Sequence, residues 1–500
     1  MCGICGIARR GQLREGDAAS VQAMMNAMIH RGPDGEGRYQ NGSVSLGMRR
    51  LSIIDVEGSD QPLYNEDGSL VLIANAEIYN YVELRSELQA QGHVFSSNGD
   101  CETILHLYER DGDRCVESLE GMFAFALWDV CRRRLLLARD RMGEKPLYIY
   151  EKDRGIVFAS EMKALLRSGY VPFEIEPNCV NLYFHYQYVP EPLTLLKSVR
   201  KLAAAHVMSV DVDSWSVDVK CYWNMEDAPP LRGNPAALIR EELERVSELI
   251  LRSDVPVGVA LSGGIDSGGV ASLAVKHCPG VLHAFTVGYP GCPDSDERAA
   301  AKALAHDLNM PFHEVEVSLE EMARSFENLI YLRDDPVSDI AGYGYYAVMK
   351  KARECSVPVV IQGQGGDELF WGYDHVRRAA IESLMKKRLS RWRYLALPEY
   401  LYYALTTRKM GNASRCGSLF AKGRDGWWLF SAHKRSPANR LRFIEKSPNY
   451  RIAEERVYGC YTPEFVDRLD RSRPNSLFTM SQPWRHPDIS ITRLICQTYL

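Results

Sequence analysis

The sequence predicts two domains of different fold classes. Residues 1–210 are expected to form an α+β domain of antiparallel sheets with helices, and residues 234–500 an α/β domain with a doubly wound parallel sheet and extra helices. Three observations predict this. The chain has 500 residues, several times the usual domain size. Short β-type runs fill the first part, whereas in the second part apolar runs end in glycine turns and alternate with long helices. The stretch 211–233, which contains Pro and Gly, is the predicted linker.

In the first domain, four segments have the composition of strands and are bounded by Gly, Asp or Asn. They are SVSLGMRRLSIID, SLVLIANAEIYN, MFAFALWD and RRLLLARD. The segment VELRSELQAQG has apolar residues at helical spacing, with Gly92 after its end, and therefore predicts a helix. We expect the strands of this domain to surround one or two helices.

In the second domain, two segments each place a β-branched run directly before a glycine turn. They are VPVGVALSGGIDSGGVASLAV (255–275) and VPVVIQGQGGDELF (357–370). This pattern is typical of a parallel sheet whose functional loops follow the carboxyl ends of the strands.

The overall composition argues against several classes of partner. With 46% hydrophobic residues and a net charge of −5, nothing indicates a nucleic-acid or anionic-membrane partner. The basic segment 386–393 and the aromatic pair 427–428 are therefore expected on solvated helix faces over a core. No signal-peptide pattern and no run of about 18 apolar residues occurs, so we expect a cytoplasmic protein. Thirteen cysteines, an odd number, fit reduced thiols better than a disulfide framework.

The first six residues, MCGICG, allow three interpretations. Cys2 and Cys5 could be half of a CxxC metal or redox site, but no second pair and no thioredoxin-like context follows. They could be two small apolar side chains. The third interpretation depends on removal of Met1, after which Cys2 carries both a thiol and an α-amine with a reference pKa of about 7.7–8.0. One residue would then hold a nucleophile and its base.

Eight motifs of the first domain resemble the glutaminase domain of the glutamine-hydrolysing asparagine synthetase family. They are MCGICG, HRGPD (30–34), RRLSIID (49–55), QPLYN (61–65), NAEIYN (75–80), NGDCE (98–102), GMFAFALWD (121–129) and RDRMGEKPLY (139–148). The match runs in register along the whole domain. It implies a layered sandwich of the N-terminal-nucleophile (Ntn) hydrolase type.

The resemblance implies a role for six residues. Cys2 would attack the side-chain amide of glutamine, Asn75 and the backbone N–H of Ala76 would form an oxyanion hole, and the substrate would be held by Arg50, Glu77 and Asp100. An Arg matches a carboxylate, and carboxylates suit an ammonium group. The family usually has Gly where this chain has Ala76. If that position requires a positive φ, strain of about 1 kcal/mol or more is expected, with slower glutamine hydrolysis.

The second domain carries SGGIDS (262–267), HAFTVGYPGCPDSDERAA (283–300) and GQGGDELFWGY (363–373). A glycine loop before a helix is suited to phosphate. These motifs resemble the family's synthetase domain, a PP-loop ATP pyrophosphatase fold. The resemblance implies that ATP is bound by Leu261, Ser262, Gly263, Gly264, Asp266, Ser267, Val287, Gln362 and Gly363. It also implies that Mg²⁺ is bound by Asp266 and Asp367, since Mg²⁺ prefers oxygen ligands.

The second domain departs from the family pattern near the proposed acyl-adenylate. Gln364 stands where a carboxylate is usual, and it cannot act as a carboxylate base. Gly268 and Trp371 also differ. We therefore expect a carboxylic acid acceptor other than aspartate; the alternative is a glutamine-hydrolysing asparagine synthetase acting on aspartate. Because the final residues ITRLICQTYL predict a helix without a cap, C-terminal material is expected to be missing.

Two further interpretations belong to other functional classes. One is a PP-loop enzyme that modifies tRNA, which would use the CxxC pair for sulfur or metal chemistry but leaves the glutaminase motifs unexplained. The other is a regulatory module whose catalytic sites have decayed, suggested by Ala76, Gln364 and the chain's end. The favoured interpretation has small-molecule partners only, namely glutamine, ATP and a carboxylic acid, and it allows a homodimer.

Overall fold

The computed structural model describes residues 1–291, 296–338, 341–373, 377 and 461–469. The segments 386–393, 427–428 and 491–500, for which the sequence predicts solvated or uncapped helices, lie outside the described residues.

The first half contains twelve strands. They are β1 (Gly3–Arg9), β2 (Gly35–Asn41), β3 (Val44–Arg50), β4 (Leu63–Tyr64), β5 (Leu70–Ile78), β6 (Gly121–Asp129), β7 (Arg134–Arg139), β8 (Tyr148–Lys152), β9 (Gly155–Ala159), β10 (Val199–Lys201), β11 (His206–Asp211) and β12 (Ser216–Cys221). All four segments that the sequence assigns to strands contain one. The first of them ends at Arg50, and residues 51–55 form a loop.

Five α-helices accompany these strands, where the sequence predicted one or two. They are α1 (Asp17–Ala27), α2 (Tyr81–Ala90), α3 (Glu102–Asp111), α4 (Met162–Arg167) and α5 (Pro177–Tyr186). A short 3-10 helix, Gly112–Glu117, follows α3. The predicted helix is α2, and Gly92 after its end has a positive φ of 100°, which glycine adopts without steric cost.

The strands form two six-stranded sheets. Their orders are β10-β8-β9-β1-β3-β2 and β12-β11-β7-β6-β5-β4, with antiparallel pairing throughout. One core lies between the sheets and includes Ile4, Val71 and Ile73. On the outer faces, α1 and α4 pack on the first sheet, and α2 and α3 on the second. The result is a four-layer αββα sandwich, which confirms the predicted class.

The predicted linker 211–233 contains β12, which pairs with β11 at the edge of the second sheet. Beyond it lies a short 3-10 helix, Met225–Asp227. The position of the domain boundary stays a prediction.

The second half contains a parallel sheet with helices on both faces. Its elements are α6 (Pro235–Leu249), β13 (Val257–Ala260), α7 (Ile265–His277), β14 (His283–Gly288), α8 (Arg298–Asp307), β15 (Phe312–Glu316), α9 (Leu319–Arg333), α10 (Ala341–Glu354), β16 (Val359–Ile361), α11 (Gly366–Phe370) and α12 (Pro463–Arg468). The strand order is β15-β14-β13-β16, and every pair is parallel.

The order of the strands reverses between β13 and β16, because β14 and β15 lie on one side of β13 and β16 on the other. Helices α7 and α8 cover one face and α10 the other, so the predicted doubly wound arrangement is confirmed. In such sheets the crevice for a ligand lies at the carboxyl ends of the strands where the order reverses. The two glycine turns follow these two strands. None of the described helices has both the length and the apolar composition to cross a bilayer.

Asp140 organises the turn that follows β7. Its fully buried carboxylate accepts hydrogen bonds from five backbone N–H groups, those of Phe123, Met142, Gly143, Glu144 and Lys145, at 2.6–3.2 Å. Hydrogen bonds to a charged acceptor are stronger than neutral ones. This carboxylate therefore fixes the course of RDRMGEK next to β6.

Replacement of Asp140 by Asn should destabilise the fold. The new amide would direct its own N–H groups at some of the five backbone donors, which leaves buried donors unsatisfied and should cost at least about 2 kcal/mol. The urea unfolding midpoint of the full chain measures this. The matched control is Asp218→Asn on β12, where an exposed ion pair with Lys220 should contribute less than about 0.5 kcal/mol. Equal midpoints for the two variants would contradict the role of Asp140.

Candidate active sites

Cys2 lies directly before β1, half-buried against the core between the two sheets. The backbone N–H of Leu51 donates to its sulfur at 3.3 Å, and the thiol faces the Leu51 carbonyl at 3.7 Å. Arg31 Nε donates to the Cys2 carbonyl at 2.9 Å. Cys5, in contrast, is fully buried on the opposite face, against α1. Burial raises its thiol pKa, so Cys5 packs as a small apolar residue of the strand.

The HRGPD motif holds the end of β3 in place. A Cβ at Gly32 would lie 2.3–2.5 Å from the backbone of Arg49 and Arg50, so only glycine permits this approach. The Asp34 N–H donates to the Arg50 carbonyl at 3.0 Å, and the Asp34 carboxylate accepts from the Ser52 N–H at 3.0 Å. The loop that contacts the Cys2 sulfur is therefore fixed by this motif.

Arg50 is 5% exposed, which excludes a solvated surface arginine. Its terminal nitrogens donate to three carbonyls of the following loop, those of Ile54, Asp55 and Val56. Nη1 also donates to Asp60 Oδ1 at 2.9 Å. The Asp60 side chain is 85% exposed. Backbone carbonyls thus hold the guanidinium in place. One of its N–H groups donates to the exposed Asp60 carboxylate, a position that the carboxylate of a ligand can take instead.

One edge of β5 is open beyond the short strand β4, which pairs only with Val71 and Leu72. Further along this edge, the Gln61 side chain forms two hydrogen bonds with the backbone of Ala74, at 2.6 and 3.2 Å. Asp100 Oδ2 accepts from the Ile78 N–H at 2.7 Å. Backbone groups of a strand point alternately to its two sides. The Ala76 N–H therefore points to the same edge, between these two side chains.

Asn75 is 2% exposed, and its Nδ2 atom has no hydrogen-bond partner within the described part of the chain. Val71 and Ile73 of the same strand pack in the core between the sheets, where Cys2 also lies. Alternate side chains of a strand share a face, so the Asn75 amide lies on the Cys2 side of the sheet. A buried donor without an acceptor costs about 1–3 kcal/mol and indicates a binding function for this amide.

Ala76 does not have the positive φ that the sequence analysis considered. It continues β5, in register with Phe123 of β6, and is not among the described residues with positive φ. The backbone strain predicted at Ala76 is therefore wrong. An extended strand accepts alanine as readily as glycine, and the N–H remains directed at the open edge.

Three ionisable side chains lie together beside this edge. Burial raises the pKa of Glu77 to about 7, the positive charge of Lys145 opposes the shift, and the charge of Asp100 adds to it. Burial also raises the pKa of Asp100 and lowers the pKa of Lys145, which is 5% exposed. The α-amine of Met1 interacts electrostatically with Cys2, Lys145 and Glu77, and burial lowers its pKa to about 5. The chain terminus, the thiol and these acids thus share one region.

In the second half, SGGIDS forms a compact loop at the start of α7. The Ser262 N–H donates to Ser267 Oγ at 3.1 Å, and the Gly264 N–H to Ser262 Oγ at 3.0 Å. The Gly263 N–H donates to a carboxylate, Glu297 Oε2, at 3.1 Å. This amide therefore already binds an anionic group. The N-terminal end of the 13-residue helix α7 adds a positive potential.

The second glycine turn packs directly on the first. A Cβ at Gly363 would lie 2.6 Å from the Ser267 backbone nitrogen, and a Cβ at Gly366 only 2.4 Å from the Asp266 carboxylate. Burial raises the pKa of Asp266, and the charges of Asp367 and Glu368 raise it further. Two loops from separate strands thus bring carboxylates together where a divalent cation would relieve their repulsion.

The other residues predicted to contact ATP follow the same strands. Leu261 is 3% exposed and continues β13, with its N–H donating to the Phe285 carbonyl at 2.8 Å. Val287 in β14 and Gln362 after β16 are half-buried, whereas Gln364 is exposed. These positions adjoin the point where the strand order reverses; their contacts with a nucleotide stay predictions.

Two family models match the chain. A glutamine amidotransferase domain matches residues 1–223, and an asparagine synthase domain matches residues 238–471. A putative glutamine-hydrolysing asparagine synthetase from Methanocaldococcus jannaschii is 32% identical over 398 residues, covering 75% of this chain and 76% of that protein. The chain belongs to the asparagine synthetase family of glutamine amidotransferases. The sequence resemblance is thereby confirmed.

Two asparagine synthetases of Bacillus subtilis are also similar. The first is 37% identical over 384 residues and the second 33% identical over 394 residues, each covering 75% of this chain. The chain spans 60% and 52% of the lengths of these two relatives. Among solved structures, the glutamine phosphoribosylpyrophosphate amidotransferase of B. subtilis is 14% identical, with a TM-score of 0.36 over 65% of this chain and 92% of that one. That likeness is too low to support an argument.

The two family domains meet at the loops that border the predicted glutamine site. Arg252, after α6, forms a bidentate ion pair with Glu83 at the start of α2, both contacts being 2.6 Å. The Asp254 carboxylate accepts from the Asp55 N–H at 2.6 Å. Asp55 belongs to the loop whose carbonyls hold Arg50. The interface therefore contacts the loop that positions a predicted glutamine-binding residue.

Sequence reasoning assigned no role to Arg31, Gln61 or Lys145, although the motifs HRGPD, QPLYN and RDRMGEKPLY contain them. The structure places Arg31 on the Cys2 carbonyl, Gln61 on the β5 edge and Lys145 beside Glu77. A buried lysine is unusual, but burial cannot be seen in a sequence. In the sequence, these three residues could be recognised only as members of family motifs to which no role had been assigned.

Glutamine binding should weaken as the pH falls below 7. If Glu77 holds the α-ammonium of glutamine as predicted, it must be ionised, and with a pKa of about 7 it is mostly protonated at pH 6. The dissociation constant should therefore rise roughly tenfold between pH 8 and pH 6. Calorimetric titration of glutamine into the Cys2→Ala chain measures this without turnover.

Two further variants in the Cys2→Ala chain make this test specific. Glu77→Gln should bind glutamine weakly at both pH values and lose the pH dependence. Glu87→Gln, an exposed glutamate on α2 that pairs with Arg110, should behave as the parent does. A parent chain whose affinity is the same at pH 6 and pH 8 would refute the assignment of Glu77.

Proposed function

We propose that this protein is an ATP-dependent glutamine amidotransferase. Glutamine is hydrolysed in the first half, and the ammonia amidates a carboxylic acid that the second half activates with ATP. The observation that carries the proposal is the buried Asn75 amide without an acceptor, on the Cys2 side of the sheet. It lies next to the Ala76 N–H on the open edge of β5. These two hydrogen-bond donors beside a thiol can stabilise the oxyanion that forms during acyl transfer.

The glutaminase reaction uses Cys2 as its nucleophile once Met1 is removed. The α-amine of Cys2 takes the thiol proton, and the thiolate adds to the side-chain carbonyl of glutamine. The oxygen becomes an oxyanion, held by Asn75 Nδ2 and the Ala76 N–H. The amine returns its proton to the departing nitrogen, which leaves as ammonia. Water then cleaves the glutamyl thioester, giving glutamate and the free thiol.

The ends of the substrate are held by groups of opposite charge. Arg50 binds the α-carboxylate, which replaces the exposed Asp60 on Nη1; an Arg held by backbone carbonyls needs no reorganisation to do so. Glu77 and Asp100 bind the α-ammonium. The positive charge of Lys145 favours ionisation of Glu77 and limits the effect of its burial.

The residues of the second half fit Mg²⁺ and ATP. The phosphates lie against Ser262, Gly263, Gly264 and Ser267, where the Gly263 N–H now binds a carboxylate. Asp266 and Asp367 would supply oxygen ligands for Mg²⁺. The remaining contacts are with Leu261, Val287, Gln362 and Gly363. ATP supplies the adenylyl group that activates the acceptor carboxylate, with release of diphosphate. Ammonia then displaces AMP and forms the amide.

The acceptor proposed is a carboxylic acid other than aspartate. Gln364 lies within the second glycine turn, between Gly363 and Gly365, and offers an amide where a carboxylate is usual in the family, so the pocket has one negative charge fewer. The alternative acceptor is aspartate. The relatives, which are named asparagine synthetases, favour it.

The glutaminase assignment is tested with the full chain and glutamine. Release of glutamate should be abolished in Cys2→Ala and should persist in Cys5→Ala, whose side chain faces the other core. Asn75→Ala should lower kcat by about 10²–10³-fold, because one oxyanion donor is lost, with a much smaller change in KM. An unchanged rate in Cys2→Ala would refute the proposal.

The acceptor is tested by acid-dependent exchange of labelled diphosphate into ATP. A panel of carboxylic acids is compared with aspartate at equal concentration. We expect at least one acid to support exchange roughly tenfold faster than aspartate, since a pocket matched to other polar groups discriminates strongly. Exchange with aspartate alone would favour the alternative, and exchange with no acid would contradict adenylation by the chain.

A further inference from the structure

A cluster of two histidines and two glutamates lies on the outer face of the second sheet. Glu66 follows β4, His93 follows α2, and His106 and Glu109 lie three residues apart on α3, where side chains share a helix face. The helices α2 and α3 cover the face of β5 opposite to the Cys2 side. This cluster is therefore separated from the glutaminase site by the sheet, and the proposed function does not use it.

The four side chains converge on one point. Glu109 Oε2 lies 3.1 Å from His93 Nδ1 and 3.0 Å from His106 Nδ1. Glu66 Oε1 lies 4.0 Å and 3.7 Å from the same two nitrogens. All four atoms lie within 4.8 Å of one another. Tetrahedral bonds of about 2.0–2.1 Å place neighbouring ligand atoms about 3.3 Å apart, within the range of these separations.

We propose that Glu66, His93, His106 and Glu109 bind one Zn²⁺ ion. Two imidazole nitrogens and two carboxylate oxygens form a ligand set that Zn²⁺ accepts in tetrahedral geometry. The mixture of nitrogen and oxygen donors disfavours Mg²⁺ and Ca²⁺, which prefer oxygen ligands alone.

The groups around the cluster orient its ligands. Asn65 Nδ2 donates to Glu109 Oε1 at 2.7 Å, leaving Oε2 for the ion, and the Val94 N–H donates at 2.8 Å to Glu66 Oε1, the oxygen that faces the histidines and has a second lone pair for the ion. Such outer contacts fix the ligands of metal sites.

His106 is fully buried and carries its Nε2 on the side away from the cluster. This atom lies 3.7 Å from Glu102 Oε1 and has no hydrogen-bond partner in the described ranges. Glu102 is itself held by the backbone and hydroxyl groups of Ser96 and Ser97, at 2.5–2.8 Å. The 3.7 Å separation between His106 Nε2 and Glu102 Oε1 is too long for a hydrogen bond, but the negative charge of Glu102 favours the tautomer with the proton on Nε2 and with Nδ1 available to a metal. His106 is thus oriented with Nδ1 toward the ion.

The ion would have a structural function, because four protein ligands leave no open position for a substrate. It joins three segments that are distant in sequence: the residue after β4, the segment after α2, and α3. The same helix begins at Glu102, two residues after Asp100. A metal at the cluster therefore secures the helix next to a proposed glutamine-binding residue.

The test uses the full chain with Cys2→Ala, so that the nucleophilic thiol does not compete for metal. The protein is freed of metal with a chelator and titrated with Zn²⁺ by calorimetry, with Mg²⁺ as the comparison. We expect one equivalent of Zn²⁺ at the cluster, a higher unfolding temperature in its presence, and no such effect of Mg²⁺.

Variants test whether the bound Zn²⁺ ion lies at the cluster. His93→Gln and Glu66→Gln, both at partly or fully exposed positions, should each lose one equivalent of Zn²⁺ and the gain in unfolding temperature. His306→Gln, at a histidine whose side chain is 90% exposed on α8, should keep both. The inference is overturned if the parent binds no such equivalent, if both cluster variants retain it, or if binding leaves the unfolding temperature unchanged. None of these results depends on glutamine hydrolysis.

Discussion

The first site depends on the open edge of β5. Because β4 pairs with only two residues of this strand, the edge beyond it carries backbone groups that no strand satisfies. Gln61 and Asp100 satisfy the positions on either side and leave the N–H of Ala76 between them. A longer β4 would close this edge and remove the donor. The sheet thus leaves a backbone donor on its edge by ending one ladder early, and this donor and the neighbouring Asn75 amide form the oxyanion site that we propose.

Much of the fold could be predicted from the sequence, because strands with buried faces have continuous apolar runs. The four segments predicted as strands and helix α2 all appear. Helices such as α4, with six residues, could not be found in this way. Their stability comes from packing on a sheet rather than from a long amphipathic pattern. The class of the second half followed from two glycine turns, because each marks the carboxyl end of a parallel strand.

The predicted site residues cluster in the structure where their motifs are joined by tertiary contacts. Arg31 reaches the carbonyl of Cys2 across 29 positions of sequence, and no local pattern could reveal that contact. Glycine was informative where two backbones approach, at Gly32 and Gly363, and misleading at position 76. There the relatives' glycine suggested a strained backbone, but an ordinary strand accepts alanine. A glycine in a family motif thus marks either a position where another backbone comes too close for a Cβ atom or a position that accepts other residues as well. Only the structure distinguishes the two cases.

The contacts of Arg252 and Asp254 with the first half have a consequence for recombination between family members. These side chains hold the α2 start and the loop at Asp55, so the second half carries part of the framework of the first site. A chimera joined between β12 and α6 would inherit the proposed glutamine pocket from one parent and two of the side chains that contact its framework from the other. Such a hybrid keeps these contacts only if its two parents carry matching side chains at positions 83, 252 and 254.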